Sequence, residues 1–247
     1  MSEYWVFGGS KPLGVALREA LSADSKVVSF SRSKADLEGD NHESVTIDFS
    51  NTAQLREVIR NRLPSEGPLG VVFCQRYRNE GGEGELESIK AGLDVELAPV
   101  ITLLEEFDAL KNGPLSIVLI SSVAGRFSHN DIPVWYHVLK SAALTATKVL
   151  ANRNAASGTR VNCVVLGEFE KYPRDSYTDQ EQKKFSELAN FTLGKRICSK
   201  VDITNLITFL LSDQAEYVSG QTITLDGTLS DLSQESIIRS VAAEHSA

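Results

Sequence analysis

Tyr136 and Lys140 stand four residues apart in VWYHVLKSAALTATKVL, residues 134–150, a segment whose apolar spacing predicts a helix. A phenol is a weak acid with an ordinary pKa of about 10, and a cation within reach lowers such a value by about 1–3 units. Residues four apart share one helix face, so the ammonium can sit beside the ring hydroxyl. The pair therefore has the residue types and spacing to trade a proton with a reacting oxygen. An ordinary surface pair is the competing reading, since matches this short also arise by chance. The surrounding elements have to decide.

Those elements alternate. Apolar runs of strand length at 4–7, 26–30, 44–48, 69–75, 115–121, 160–167 and 221–225 are separated by segments of helical period. The helical segments lie at 12–21, 52–63, about 86–110, 134–150 and near 202–212. Continuous Val/Ile-rich strands between helices predict a parallel sheet covered on both faces. No repeat, low-complexity stretch or Pro/Gly linker divides the chain, so it reads as one doubly wound α/β domain over 1–247, a three-layer αβα sandwich. Between 168 and 198 the pattern weakens into a polar segment carrying Tyr172, Tyr177, Phe185 and Phe191. It follows a strand's carboxyl end, where doubly wound sheets bind ligands. A lid over the substrate and a solvated surface helix with loops both remain open. The tail, 228–247, either folds onto a partner subunit or frays.

Composition sets outer bounds. With 247 residues, 42% of them hydrophobic, the chain can bury one sizeable core. A net charge of −8 without a basic run argues against nucleic acid as the main partner. Cys74, Cys163 and Cys198 lack CxxC spacing, and His42, His129, His137 and His245 lack ligand spacing. The expectation is reduced thiols, no metal and a cytoplasmic protein. No charged leader with an apolar signal core opens the chain, and no apolar run approaches the ~18 residues of a membrane span.

Gly8-Gly9-Ser10-Lys11-Pro12-Leu13-Gly14 follows the first strand and precedes a helix. A glycine-rich turn at that place presents backbone N–H groups and a helix N-terminus to a phosphate. Pro12 suits a first helical position, and it also removes one donor from the turn. The second strand ends in Ser31, Arg32 and Ser33, where an NAD site would place a carboxylate for the ribose 2′-hydroxyl. Lys11 and Arg32, with no competing acid, suit a 2′-phosphate and favour NADP over NAD.

Taken together, GGSKPLG (8–14), IDFS (47–50), ISSVAG (120–125), Tyr136-x-x-x-Lys140, RVNCVVLG (160–167) and FLLSDQAEYVSGQTITLDG (209–227) resemble the short-chain dehydrogenase/reductase family across nearly the whole chain. The resemblance implies a Rossmann-type sheet of about seven strands, a nicotinamide cofactor and a homodimer or homotetramer. It implies that Ser122, Tyr136 and Lys140 are the catalytic set. It places Gly8, Ser10, Lys11, Leu13 and Gly14 at the phosphates, Arg32 at the adenosine phosphate, Asp48 and Phe49 at the adenine, and Gly167 near the nicotinamide.

The departures from the family pattern cluster at the cofactor. Phe7-Gly8 replaces Thr-Gly, Leu166 replaces the proline of a Pro-Gly pair, and CQRY (74–77) replaces Asn-Asn-Ala-Gly, bringing Gln75 and Arg76 to the cofactor side. The helix asparagine that supports the family's proton relay is Glu96. Pro99, just beyond it, should bend the helix. Glu96 then either joins an altered relay as an acid/base group or pairs with Lys140 and dampens it. Arg76 reads either as a positive rim for an anionic substrate or as part of a solvated loop beside an acidic stretch.

The expected function is NADP(H)-dependent interconversion of a carbonyl and an alcohol on a small, polar or anionic metabolite. Ser122 would hold the substrate oxygen and Tyr136 would exchange the proton. The alternative is a catalytically altered member serving as a nucleotide-binding sensor or complex partner.

Overall fold

The Val- and Ile-rich runs form strands and the amphipathic segments form helices in a computed structural model that describes residues 3–23, 25–33, 41–64, 69–110 and 114–244. The first half runs β1 (Glu3–Phe7), α1 (Pro12–Leu21), β2 (Lys26–Ser31), β3 (His42–Thr46), α2 (Thr52–Arg62), β4 (Leu69–Phe73), α3 (Glu85–Glu96) and α4 (Ala98–Leu110). The second half runs β5 (Leu115–Ser122), α5 (Val134–Arg153), β6 (Arg160–Leu166), α6 (Asp179–Ala189), α7 (Lys200–Leu211), β7 (Thr222–Leu225) and α8 (Gln234–Glu244). The strands form one seven-stranded sheet in the order β3-β2-β1-β4-β5-β6-β7, and every pairing is parallel.

Alternation along β1 shows how the layers are made. Trp5 and Phe7 face one side and Val6 the other, and all three are fully buried. On the first side Phe7 stacks between Phe30 of β2 and Phe73 of β4, with ring centroids 4.5 Å apart in each pair. Leu55 and Ile59 of α2 and Leu103 and Phe107 of α4 close over this aromatic layer. On the second side Val6, Val72 and Val118 meet Leu17 of α1 and Ile203, Ile207 and Leu210 of α7. Both faces are covered by helices, which is why the strands read as continuous apolar runs.

The long stretch near 86–110 is two helices, not one. α3 ends at Glu96, the backbone turns at Leu97, and α4 starts at Ala98. Pro99 has no N–H to continue the ladder, and Val100 and Ile101 donate to the Leu97 carbonyl instead. The break puts Glu96 at a helix end facing the sheet. β3 lies two residues earlier than the sequence suggests, so Ile47, Asp48 and Phe49 fall in the turn after it. The polar 168–198 segment contains α6, opened by a reciprocal cap in which Thr178 and Glu181 bond each other's backbone. The tail contains α8, and His245 lies outside the described residues.

Candidate active site

The carboxyl ends of β1, β4, β5 and β6 open toward one end of the sheet, and the start of α5 is fastened there. Ser122 ends β5 and accepts from the Ala124 N–H at 3.3 Å, which leaves its own hydroxyl hydrogen able to donate. The following turn presses on α5 so closely that a Cβ on Gly125 would lie 2.8 Å from the Lys140 carbonyl. Ser121 Oγ donates to the Lys140 carbonyl at 2.8 Å, and Ser141 Oγ donates to the Gly125 carbonyl at 2.8 Å. His137 Nδ1 meets the Ala124 carbonyl at 2.6 Å. These bonds lock Ser122, Tyr136 and Lys140 onto neighbouring pieces of rigid structure.

Lys140 is 4% exposed, and its Nζ lies 5.3 Å from the centroid of the Tyr136 ring. Its charge is met by Glu96, whose Oε2 is 2.6 Å away. Glu96 Oε1 accepts from the Tyr77 N–H at 3.0 Å, so one carboxylate ties the exit of β4 to α5. Gly92 explains how α3 comes so near: a Cβ there would stand 2.2 Å from a Leu139 methyl. One helical turn later Glu96 meets Lys140. Of the two readings left open for Glu96, the pairing is present.

A second cation lies on the same ring. The Arg76 Cζ is 5.6 Å from the Tyr136 centroid, and among the described residues no carboxylate pairs with it. Tyr77, the next residue, turns inward against Trp135 in a T-shaped contact with centroids 5.3 Å apart. Trp135 N–H in turn donates to Glu85 at 2.7 Å. Arg76 is therefore directed by its anchored neighbour toward the phenol and remains exposed to an incoming ligand.

Just past the end of β1, Gly8 has φ of +93°, and a Cβ there would lie 2.5 Å from the Gln75 nitrogen. Only glycine fits so close to the β4 backbone in that conformation. Gly14 is needed for a different reason, since its Cβ would meet the Gly8 carbonyl at 2.3 Å. This packs α1 directly behind the turn, with Ser10, Lys11 and Leu13 at the surface or partly covered and Pro12 at the first helical position. The narrow cradle and the helix N-terminus fit the phosphates of a dinucleotide.

The end of β2 is less uniform than its sequence suggests. Ser31 is 4% exposed and spends its hydroxyl on the Ser33 carbonyl at 2.6 Å, while Arg32 and Ser33 face solvent. Asp48 accepts from both the Ser50 hydroxyl and N–H, which hold its carboxyl below the usual range, with the Arg32 charge adding to the effect. Phe49 turns into the core beside Phe7, with centroids 5.9 Å apart. Gly167 is close-packed, since a Cβ there would be 2.6 Å from that of Asp226. The 168–198 segment walls a groove of about 520 Å³ between α6 and the first turn of α7, lined by Arg174, Phe185, Arg196 and Asp202.

Sequence reasoning missed three participants at this site. Tyr77 and Trp135 carry no spacing signal that links them, and Gly92 reveals its purpose only through Leu139. The cap of α6 was readable as Thr178-x-x-Glu181.

Comparison with known proteins bears on the whole constellation. A family model described as enoyl-(acyl carrier protein) reductase matches residues 31–230. The chain is similar to tropinone reductase-like 3 of Erythroxylum coca, 31% identical over 187 residues, covering 74% of this chain and 71% of that protein. It is also similar to the short-chain dehydrogenase/reductase SDRA of Arabidopsis thaliana, 27% identical over 227 residues, 87% of this chain and 88% of the other. Among solved structures, a short-chain dehydrogenase family protein from Francisella tularensis superposes with a TM-score of 0.77 at 22% identity, covering 94% of this chain and 100% of that one. One from Leptospira borgpetersenii, with bound NAD+, gives 0.74 at 21% identity, covering 92% of both chains.

Proposed function

Since the chain belongs to the short-chain dehydrogenase/reductase family, a family of oxidoreductases that use a nicotinamide cofactor, we propose that it interconverts a carbonyl and an alcohol on a small polar or anionic metabolite with NADP(H), Tyr136 acting as general acid and base. The observation that carries this reading is the fastening of Ser122, Tyr136 and Lys140 at one end of the sheet, with Lys140 Nζ 5.3 Å from the phenol ring. The bound nicotinamide would supply or accept the hydride.

The chain's own residues do the rest. Gly8, Ser10, Lys11, Leu13 and Gly14 hold phosphate at the head of α1, and Gln75 backs that turn from β4. Arg32 and Ser33, with Lys11 in the turn that Gly8 and Gly9 bond to the Phe30 carbonyl of β2, receive the 2′-phosphate, whose charge a guanidinium and an ammonium bind strongly. Asp48 and the Phe49 backbone border the adenine, and Gly167 borders the nicotinamide. Ser122 donates to the substrate oxygen. Tyr136 gives that oxygen its proton in reduction and recovers it in oxidation. Glu96 keeps Lys140 in place beneath the ring and balances its charge.

Arg76 sets the polarity of the substrate. It is an exposed cation at the reacting ring, and a carboxylate or phosphate on the substrate gains a charge-assisted bond there. The 168–198 segment closes over the substrate as a lid, a reading supported by its place after the carboxyl end of β6. Exposed apolar residues on α4 and α5, including Ile101, Val138 and Val149, suit a homodimer or homotetramer.

Fluorescence titration with NADPH and NADH tests the cofactor choice. NADPH should bind the tighter of the two, and Arg32→Ala should erase most of the difference. Equal binding by the wild type contradicts the assignment. Arg76→Met should raise KM for anionic ketones by about 10-fold or more while leaving neutral ketones little changed.

A further inference from the structure

Gln75 presents an anomaly that the reaction does not use. The residue is 8% exposed, and both its amide nitrogen and its amide oxygen are buried with no hydrogen-bond partner among the described residues. Buried amides are almost always bonded, and each exception calls for a physical account. Here the side chain of Gln75, just past the end of β4, lines a small space by α3 and α5, where Leu93, Leu139 and Ala143 form apolar walls and Glu96 contributes a carboxylate. The space measures about 10 Å³, close to one solvent sphere and far too small for any organic ligand.

We propose that the Gln75 amide and the Glu96 carboxylate together bind a single buried water, which makes Gln75 a positioning residue for the Glu96–Lys140 pair. The chemistry is complementary. The amide offers a donor and an acceptor, and water offers both. Each Glu96 oxygen already takes one bond, from Tyr77 N–H and from Lys140, yet a carboxylate has room for further donors. A water donating to Glu96 can also bond the Gln75 amide, giving an otherwise unpartnered group a partner and the carboxylate a third one.

The location gives the site a consequence. Gln75 is the residue whose backbone nitrogen leaves no room for a Cβ on Gly8, while its side chain reaches the pair under Tyr136. One residue thus backs the phosphate turn and, through the water, steadies Lys140. A movement of β4's end would be felt at both.

A crystal structure of the full chain that resolves ordered solvent is expected to place one water within hydrogen-bonding distance of both the Gln75 amide and Glu96. A dry cavity, or an amide bonded to protein atoms instead, overturns the proposal. Gln75→Met keeps the length of the side chain and removes both polar atoms. In that variant the NMR signal of the Lys140 carbon next to its nitrogen should shift from its wild-type position. A folded variant with that signal unmoved overturns the positioning role, and the wild-type crystal still decides the water if the variant does not fold. Neither result depends on hydride transfer, so failure here and failure of the proposed reaction are distinguishable.

Discussion

Tyr136 has two cations of different standing close to its ring. Lys140 is buried and balanced by Glu96, whereas Arg76 is exposed and free of a carboxylate among the described residues. Removing Glu96 strands a buried ammonium, so Glu96→Ala should cost about 3–5 kcal/mol of stability, read by urea unfolding. A loss well under 1 kcal/mol would mean that Lys140 finds water or another partner. The cysteines give a second residue-scale test. Burial pushes the Cys74 and Cys163 thiols up to about 12 and Cys198 up to about 11. All three should therefore resist a thiol reagent at about pH 8 until the protein unfolds. Rapid labelling of Cys163, which is fully buried, would contradict this. The sequence displays Tyr136 and Lys140 plainly, because helix spacing is local. It cannot display Glu96 as their partner, since that contact joins residues 44 apart through two helices and a break.

At the scale of elements, close approach decides the geometry. Gly92 admits Leu139 between α3 and α5, and an added methyl must displace it from 2.2 Å. Gly92→Ala should destabilise by about 1–3 kcal/mol and loosen the Glu96–Lys140 contact. An unchanged unfolding midpoint would show that α3 has slack. Ser199 caps α7 reciprocally with Asp202, so Ser199→Ala should cost about 1 kcal/mol. Most elements were legible for simple reasons. The fully buried strands are uninterrupted apolar runs, and α1 begins at Pro12, as a first-position proline predicts. α6 was harder because most of its face is polar and only Phe185 is buried, leaving the cap as its one firm signal. Pro99 signalled a bend beyond Glu96, but not that the helix ends outright at Leu97, because the apolar period continues across the break.

For the whole molecule, several titrations act in one direction. Arg60 and then Arg56 hold Glu106 below its ordinary 4.5, outweighing the opposing effect of burial, and Arg196 holds Asp202 below 3.8. Burial, helped by the Arg18 charge, holds His42 below 6.5. In each case the unfolded chain takes up its proton first as pH falls. The stability these groups contribute is complete above their ordinary values and drains away below them. Unfolding midpoints should therefore decline from about pH 6.5 downward, and Glu106→Gln should flatten the part of the decline below about pH 4.5. A midpoint that rises on acidification contradicts this. Cofactor binding acts on the same balance. NADPH at about 100 times its Kd should add about 2.7 kcal/mol, or roughly 5–10 °C in Tm. The central claim, proton exchange by Tyr136 at a nicotinamide site, meets its most direct test in Tyr136→Phe, assayed by NADPH oxidation over a panel of small anionic ketones. The account predicts that the variant binds NADPH as the wild type does and loses turnover by about 100-fold or more. Turnover equal to that of the wild type, with NADPH bound, would contradict it.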